Sequence, residues 1–179
     1  MSEAVPIVVD LDGTLVREDT LYVFAFQLLL RKPWVFFILP FKLLKGKAAM
    51  KAYMNTALAF NPSSLSFNQA LIDWLRERKQ AGHQIALCTA SSQTVADITA
   101  AKVDVFDQVF GSGSETNLSG SRKANFLNEQ YGAKNYIYCG NADVDLKVWQ
   151  HSHSAVVVNA PKGLAQEATQ HCPVIEIFD

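Results

Sequence analysis

The sequence predicts an α/β domain with a doubly wound, mostly parallel sheet and a small helical segment inserted after the first strand. Three observations predict it. Apolar runs of strand length alternate with segments of helix length along the chain, the pattern of repeated βαβ units. Several of these runs are apolar throughout, as in strands covered on both faces. The polar residues that can carry chemistry follow such runs directly, at the strand ends where open α/β sheets bind ligands.

Taken in order, residues 5–10 form the first strand, with Ile7, Val8 and Val9 at its centre, and residues 13–18 turn the chain. Residues 19–62 differ in character. Leu21–Leu30 is almost wholly apolar, Arg31-Lys32-Pro33 interrupts it, and Trp34–Leu44 resumes it. Each half is far shorter than the roughly 20 residues that span a bilayer. The expectation is two or three packed helices, the second bending at Pro40, with a further helix over 47–60. Ser66 is the expected N-cap of the next helix, which carries Leu71, Ile72, Trp74 and Leu75 and closes at Gly82. Strands are expected at 84–89, 106–110, 136–139, 155–158 and 174–178. Helices are expected from Ser91 or Ser92 to 101, over 122–131 and 143–150, and after Pro161, and 111–120 reads as a loop. The division is a core of 1–18 and 63–179 and an insertion of 19–62. The insertion is more apolar than a helix pair needs for its own packing. Its aromatic residues, flanked by Arg31, Lys32, Lys42 and Lys45, either pack on the core or meet a membrane surface or lipid substrate.

A chain of 179 residues with 49% hydrophobic content can build one substantial core. A formal charge of -1 leaves no electrostatic footprint for nucleic acid. Cys88, Cys139 and Cys172 are widely spaced and suit buried thiols in a reducing compartment. The first six residues lack the basic and apolar regions of a secretory signal.

Asp10 and Asp12 follow the first strand two residues apart, so both carboxylates can face one site. Two close anions call for a cation or a raised pKa, and Mg²⁺ is a natural partner for such oxygens. Thr89 and Ser91 end the second long strand; hydroxyls there either donate to a phosphate or cap the next helix. Lys123 and Arg122 enter a helix at its N-terminus, which the dipole disfavours for a cation. His151 and His153 lack neighbouring ligands in sequence, and Trp74 and Trp149 read as packing residues.

Asp10-Leu11-Asp12-Gly13-Thr14 resembles the signature of the haloacid dehalogenase (HAD) superfamily. The resemblance implies a Rossmann-like core with the insertion as a helical cap, and a Mg²⁺-dependent phosphoryl-transfer site. It implies Asp10 as nucleophile, Asp12 as acid and base, and Thr89 (with Ser91) and Lys123 on the phosphate; Lys123 fits the family pattern better than Arg122. Gly140, Asn141 and Asp145 match the fourth motif, with Asn141 where the family usually has Asp. Asp10, Asp12, Asn141 and Asp145 are the implied metal residues, Asp143 being the alternative to Asp145. The second carboxylate favours phosphate over halide chemistry and leaves phosphatase and phosphotransferase or phosphomutase open. Over its whole length the chain resembles HAD-type domains joined to UbiA-type membrane prenyltransferases, through Arg-Lys-Pro at 31–33, Leu-Lys-Gly-Lys-Ala-Ala at 44–49, Thr-Ala-Ser at 89–91, Gly-Asn-x-x-x-Asp at 140–145 and Val-Val-Asn-Ala at 157–160. Asn141 accords with that subgroup. This implies a cytoplasmic protein, at the membrane face if joined to such a partner, acting on a small or lipid-linked phosphate ester. The other reading is a weakly active or inactive module that binds a phosphorylated ligand and regulates or scaffolds the membrane enzyme.

Overall fold

The computed structural model describes residues 4–113 and 116–179. Six strands form one sheet: β1 (Ile7–Val9), β2 (Ile85–Ser92), β3 (Gln108–Ser112), β4 (Ile137–Gly140), β5 (Ser154–Val158) and β6 (Val174–Phe178), in the order β3-β2-β1-β4-β5-β6. Every pairing between them is parallel. The chain winds outward from β1 in one direction, then returns to build the other half, so a crevice opens beside the C-terminal end of β1.

Side chains alternate across each strand, and the two faces feed two cores. Ile7, Val9, Ile85, Leu87, Ile137 and Val156 pack on one side, against α4 (Gln69–Gln80) and α5 (Gln93–Val103). Val8, Ala86, Cys88, Tyr138, Ala155 and Val157 pack on the other, against α6 (Ser121–Tyr131), α7 (Leu146–Trp149) and α8 (Leu164–Ala168). The three cysteines are free and buried. Trp149 is fully buried, and Trp74 packs edge-on to Phe178 at 6.1 Å.

Between β1 and α4 lie α1 (Thr20–Arg31), α2 (Leu39–Leu43) and α3 (Lys47–Ala57). The carboxylate of Asp19 caps α1 by accepting from Leu21 N and Tyr22 N. No single helix over 34–44 bends at Pro40. The segment breaks into a 3-10 turn, Pro33–Phe37, and the short α2. Each proline stands in the first two positions of its piece, where its missing N–H costs nothing. The helix expected over 47–60 ends at Ala57, because Leu58 is extended and Phe60 turns in to meet Phe24 at 5.3 Å. Ser66 does not cap α4. Its N–H donates to the Glu18 carboxylate, and Asn68 Oδ1 caps the helix from Leu71 N at 3.1 Å. The expected second strand continues to Ser92, and the segment 143–150 divides into a 3-10 turn, Asp143–Asp145, followed by α7. Of the loop expected at 111–120, β3 takes the first two residues, and positions 114 and 115 lie outside the described residues.

Candidate active site

Asp10 leaves β1 with its N–H still held by Cys139 O at 3.0 Å, so the carboxylate is fixed at the central crevice. The turn folds back through Thr14 N to Leu11 O and Leu15 N to Asp10 O, both 3.3 Å. Gly13 makes this possible. Its φ is +78°, and a Cβ there would stand 2.1 Å from Asn141 Nδ2. A glycine therefore lets the Asn141 side chain lie against the backbone between Asp12 and Thr14. Thr14 Oγ1 donates to Asn141 Oδ1 at 3.2 Å, and Asn159 Nδ2 donates to Gly13 O at 3.2 Å.

Lys123 is buried and reaches Asp10 Oδ1 at 2.7 Å, whereas its neighbour Arg122 faces solvent. The lysine also donates to Tyr138 Oη at 2.8 Å, and Tyr138 donates to Asp145 Oδ1 at 2.9 Å. Asp145 Oδ2 accepts from the backbone N–H groups of Asn141 (2.9 Å) and Ala142 (3.1 Å). It is buried, while Asp143 is exposed. Gly140 makes room for it, since a Cβ there would come 2.7 Å from the Asp145 carboxylate. Tyr138 had no signal in the sequence beyond an aromatic residue in an apolar strand. Its role follows from β4 lying beneath α6.

Asp12 is held from the other side. Its Oδ1 accepts from Thr20 N at 2.7 Å, and its Oδ2 accepts from Ser91 Oγ at 3.1 Å and Thr89 Oγ1 at 3.5 Å. Thr20 and Ser91 share a hydrogen bond of 2.7 Å between their hydroxyls. Two further contacts carry the inserted helices onto the end of β2: Lys51 Nζ donates to Ala90 O at 2.6 Å, and Asn55 Nδ2 to Ser92 Oγ at 3.0 Å. The space left between these helices and β2 is only about 10 Å³, lined by Phe24, Met54, Asn55 and Ser91 among others.

Burial pushes the Asp10 carboxyl up to about 6, the charges of Asp145 and Asp12 adding to it and Lys123 opposing. Burial works against the Lys123 ammonium, but Asp10 and Asp145 outweigh it and raise its pKa. Burial, with Asp10 and Asp145, holds the Tyr138 hydroxyl well above its ordinary value, so it stays a donor.

Three carboxyl side chains thus face one ammonium. A divalent cation fits that imbalance. Among the described residues no group of three His, Cys, Asp or Glu side chains is arranged to hold a metal. The donor set here is mixed, with the Asn141 amide lying against Gly13, and both oxygens of Asp145 are turned to protein donors. His151 and His153 are apart from it, hydrogen-bonded to Asn128 and Ser154.

The model of the haloacid dehalogenase-like hydrolases matches residues 7–150. The chain belongs to that family. Its HAD-like fold is shared with a solved protein of unknown function from Bordetella pertussis Tohama I, at TM-score 0.72 and 15% identity over 97% of each chain. A substrate-bound phosphoserine phosphatase has TM-score 0.66 and 11% identity over 99% of this chain and 94% of its own. Uncharacterized protein y4nM of Sinorhizobium fredii is 30% identical over 153 residues, 86% of this chain. The HAD chain spans 30% of that relative's length.

Proposed function

We propose that this HAD hydrolase is a phosphatase that cleaves a phosphate monoester through an aspartyl-phosphate on Asp10. The observation that carries this reading is the buried Lys123–Asp10 pair at 2.7 Å, with the Asp12 carboxylate and the Thr89 and Ser91 hydroxyls on the facing strand end. Lys123 fixes one oxygen of Asp10 while the other attacks phosphorus in line. The P–O bond to the leaving group breaks as Asp12 gives that oxygen a proton. Asp12 then takes a proton from the water that attacks the aspartyl-phosphate, releasing inorganic phosphate and Asp10. Thr89 Oγ1 turns from its long contact with Asp12 to a phosphoryl oxygen, and Lys123 neutralises another. Ser91 acts on Asp12 and the inserted helices rather than on phosphate directly.

Asp10, the backbone carbonyl of Asp12 and the Asn141 side chain would hold Mg²⁺, which supplies positive charge against the phosphoryl oxygens. Asp145, one of the metal residues the resemblance implies, would act there by anchoring Asn141 through its backbone N–H. Residues 19–62 serve as the cap, closing on β2 and selecting the leaving group. The apolar character of that cap favours a lipid- or polyprenyl-linked ester, and the resemblance to prenyltransferase-linked domains would place the chain at the cytoplasmic membrane face.

Asn141 and the nearly filled space beneath the cap favour a second reading, a module that binds a phosphorylated ligand and regulates a membrane prenyltransferase. A screen of small, sugar and polyprenyl phosphates with Mg²⁺ decides. Turnover lost in Asp10→Asn supports the phosphatase. Ligand binding without turnover across the set supports the module, and transfer to an added alcohol in excess of hydrolysis marks a phosphotransferase or phosphomutase.

A further inference from the structure

The inserted helices leave an apolar face uncovered. On α1, Tyr22, Phe26 and Leu30 recur every four residues and stay exposed, while Thr20, Phe24 and Leu28 turn inward. Beyond the Arg31-Lys32-Pro33 break the series continues as Trp34, Phe37, Phe41 and Leu44, exposed by 57%, 81%, 68% and 85%. Single exposed apolar side chains are ordinary, but a recurring aromatic set marks a binding surface. Beside α1 an apolar groove of about 590 Å³ runs past Tyr22, Phe26 and Leu30.

Charge identifies the partner. Residues 19–62 hold six Lys or Arg and one acidic residue, Asp19, a formal +5; the rest of the chain holds ten and sixteen, a formal -6. No Asp or Glu occurs between Asp19 and Asp73. Three of the cations are engaged within the protein: Lys32 donates to the Ala57 carbonyl, Lys51 to the Ala90 carbonyl, and Lys42 sits 5.0 Å from the Tyr53 ring centre. Arg31 and Lys45 are exposed and bracket the 34–44 run. Aromatic side chains bordered by cations match the interface of an anionic bilayer, where rings lie at headgroup level and Lys and Arg meet lipid anions. The acidic remainder is repelled from the same surface, which sets the orientation. No helix among the described residues is long and apolar enough to cross a membrane, so the contact lies on the bilayer.

We propose that α1 and the 33–44 segment dock on an anionic lipid surface, with Phe37, Phe41 and Leu44 entering the headgroup region and Arg31 and Lys45 on lipid anions. This does not rest on the phosphatase reading, because docking is measured without turnover. It does bring membrane contact and chemistry onto one helix, since the first residue of α1, Thr20, donates to Asp12.

The test is co-sedimentation of the full chain with phosphatidylcholine vesicles, with and without phosphatidylserine. Sedimentation with the anionic vesicles is expected, falling with added salt. R31Q and K45Q are each expected to weaken it about fivefold. F37S/F41S is expected to abolish it, whereas I177S, on the exposed side of β6, is expected to leave it unchanged. Circular dichroism melting checks each fold, and L44S stands in should F37S/F41S lose its transition. No sedimentation with either vesicle, equal sedimentation with both, or binding of the folded face variants like the parent chain would overturn the proposal. So would a dimer that F37S/F41S dissociates in the absence of vesicle binding, which would give the face to a second copy.

Discussion

The Lys123 ammonium lies 2.7 Å from Asp10 Oδ1 and 2.8 Å from Tyr138 Oη, and Tyr138 passes the contact on to Asp145. A cation this deep is tolerated because its charge is paired and two of its three protons are taken. Tyr138→Phe removes the hydroxyl that joins lysine to Asp145. The expected result is a fall in kcat of about tenfold with KM little changed, since a hydrogen bond to a charged group is worth roughly 1.5–3 kcal/mol. Steady-state kinetics on a small phosphate ester checks it. Asn141→Asp adds one negative charge where the family usually has it. The Mg²⁺ concentration for half-maximal activity is expected to fall roughly tenfold, because ligand charge tunes the affinity of oxygen sites. A metal titration of both proteins reads this directly.

At the scale of elements, the turn after β1 and the motif after β4 form one unit, since Asn141 lies against Gly13 and Gly140 admits Asp145. Gly13→Ala forces both a left-handed alanine and a displaced Asn141. Activity at limiting Mg²⁺ is expected to fall further than at saturating Mg²⁺, and thermal melting to drop with a cost of about 1–3 kcal/mol. A second joint lies at the opposite end of β2, where Asp107 Oδ2 accepts from Ile85 N at 2.8 Å and Oδ1 pairs with Lys79 at 2.8 Å. Despite the opposing effect of partial burial, those two partners hold its carboxyl below the usual range. A depressed pKa contributes stability above the unfolded value and loses it as pH falls through the folded one. Asp107→Asn is therefore expected to be less stable than the parent at neutral pH and to converge with it in acid, as denaturant melts at several pH values will read.

How much was legible follows from the same elements. Strands β1, β2, β4 and β5 announced themselves because both of their faces are buried, and the polar residues after them gave the site. Lys123 rather than Arg122, and Asp145 rather than Asp143, came from the family resemblance, because periodicity left open the register of the helix and the turn. Tyr138 was illegible, since its partners come from α6 and the 3-10 turn, 15 and 7 residues away. In the 33–44 segment two prolines near an apolar run signal a break without saying on which side the helix survives.

For the molecule as a whole, one half of the sheet supports Asp10 and the other supports Asp12. Asp10 is fixed from β4 and α6; Asp12 is fixed from β2 and the start of α1. Movement of the inserted helices therefore moves the groups around Asp12 while leaving the Lys123–Asp10 pair in place. With about 10 Å³ between those helices and β2, anything bulky entering there requires them to swing outward. Removing divalent metal with a chelator is expected to abolish hydrolysis and leave the melting transition in place, because the sheet is built without it; Mg²⁺ should restore turnover. The most direct test of the central claim compares Mg²⁺-dependent hydrolysis of a phosphate monoester by the parent chain and Asp10→Asn, with the melting curve of each recorded alongside. Turnover by the parent and only background by a folded Asp10→Asn is the predicted result; equal turnover by the two would contradict Asp10 as the nucleophile.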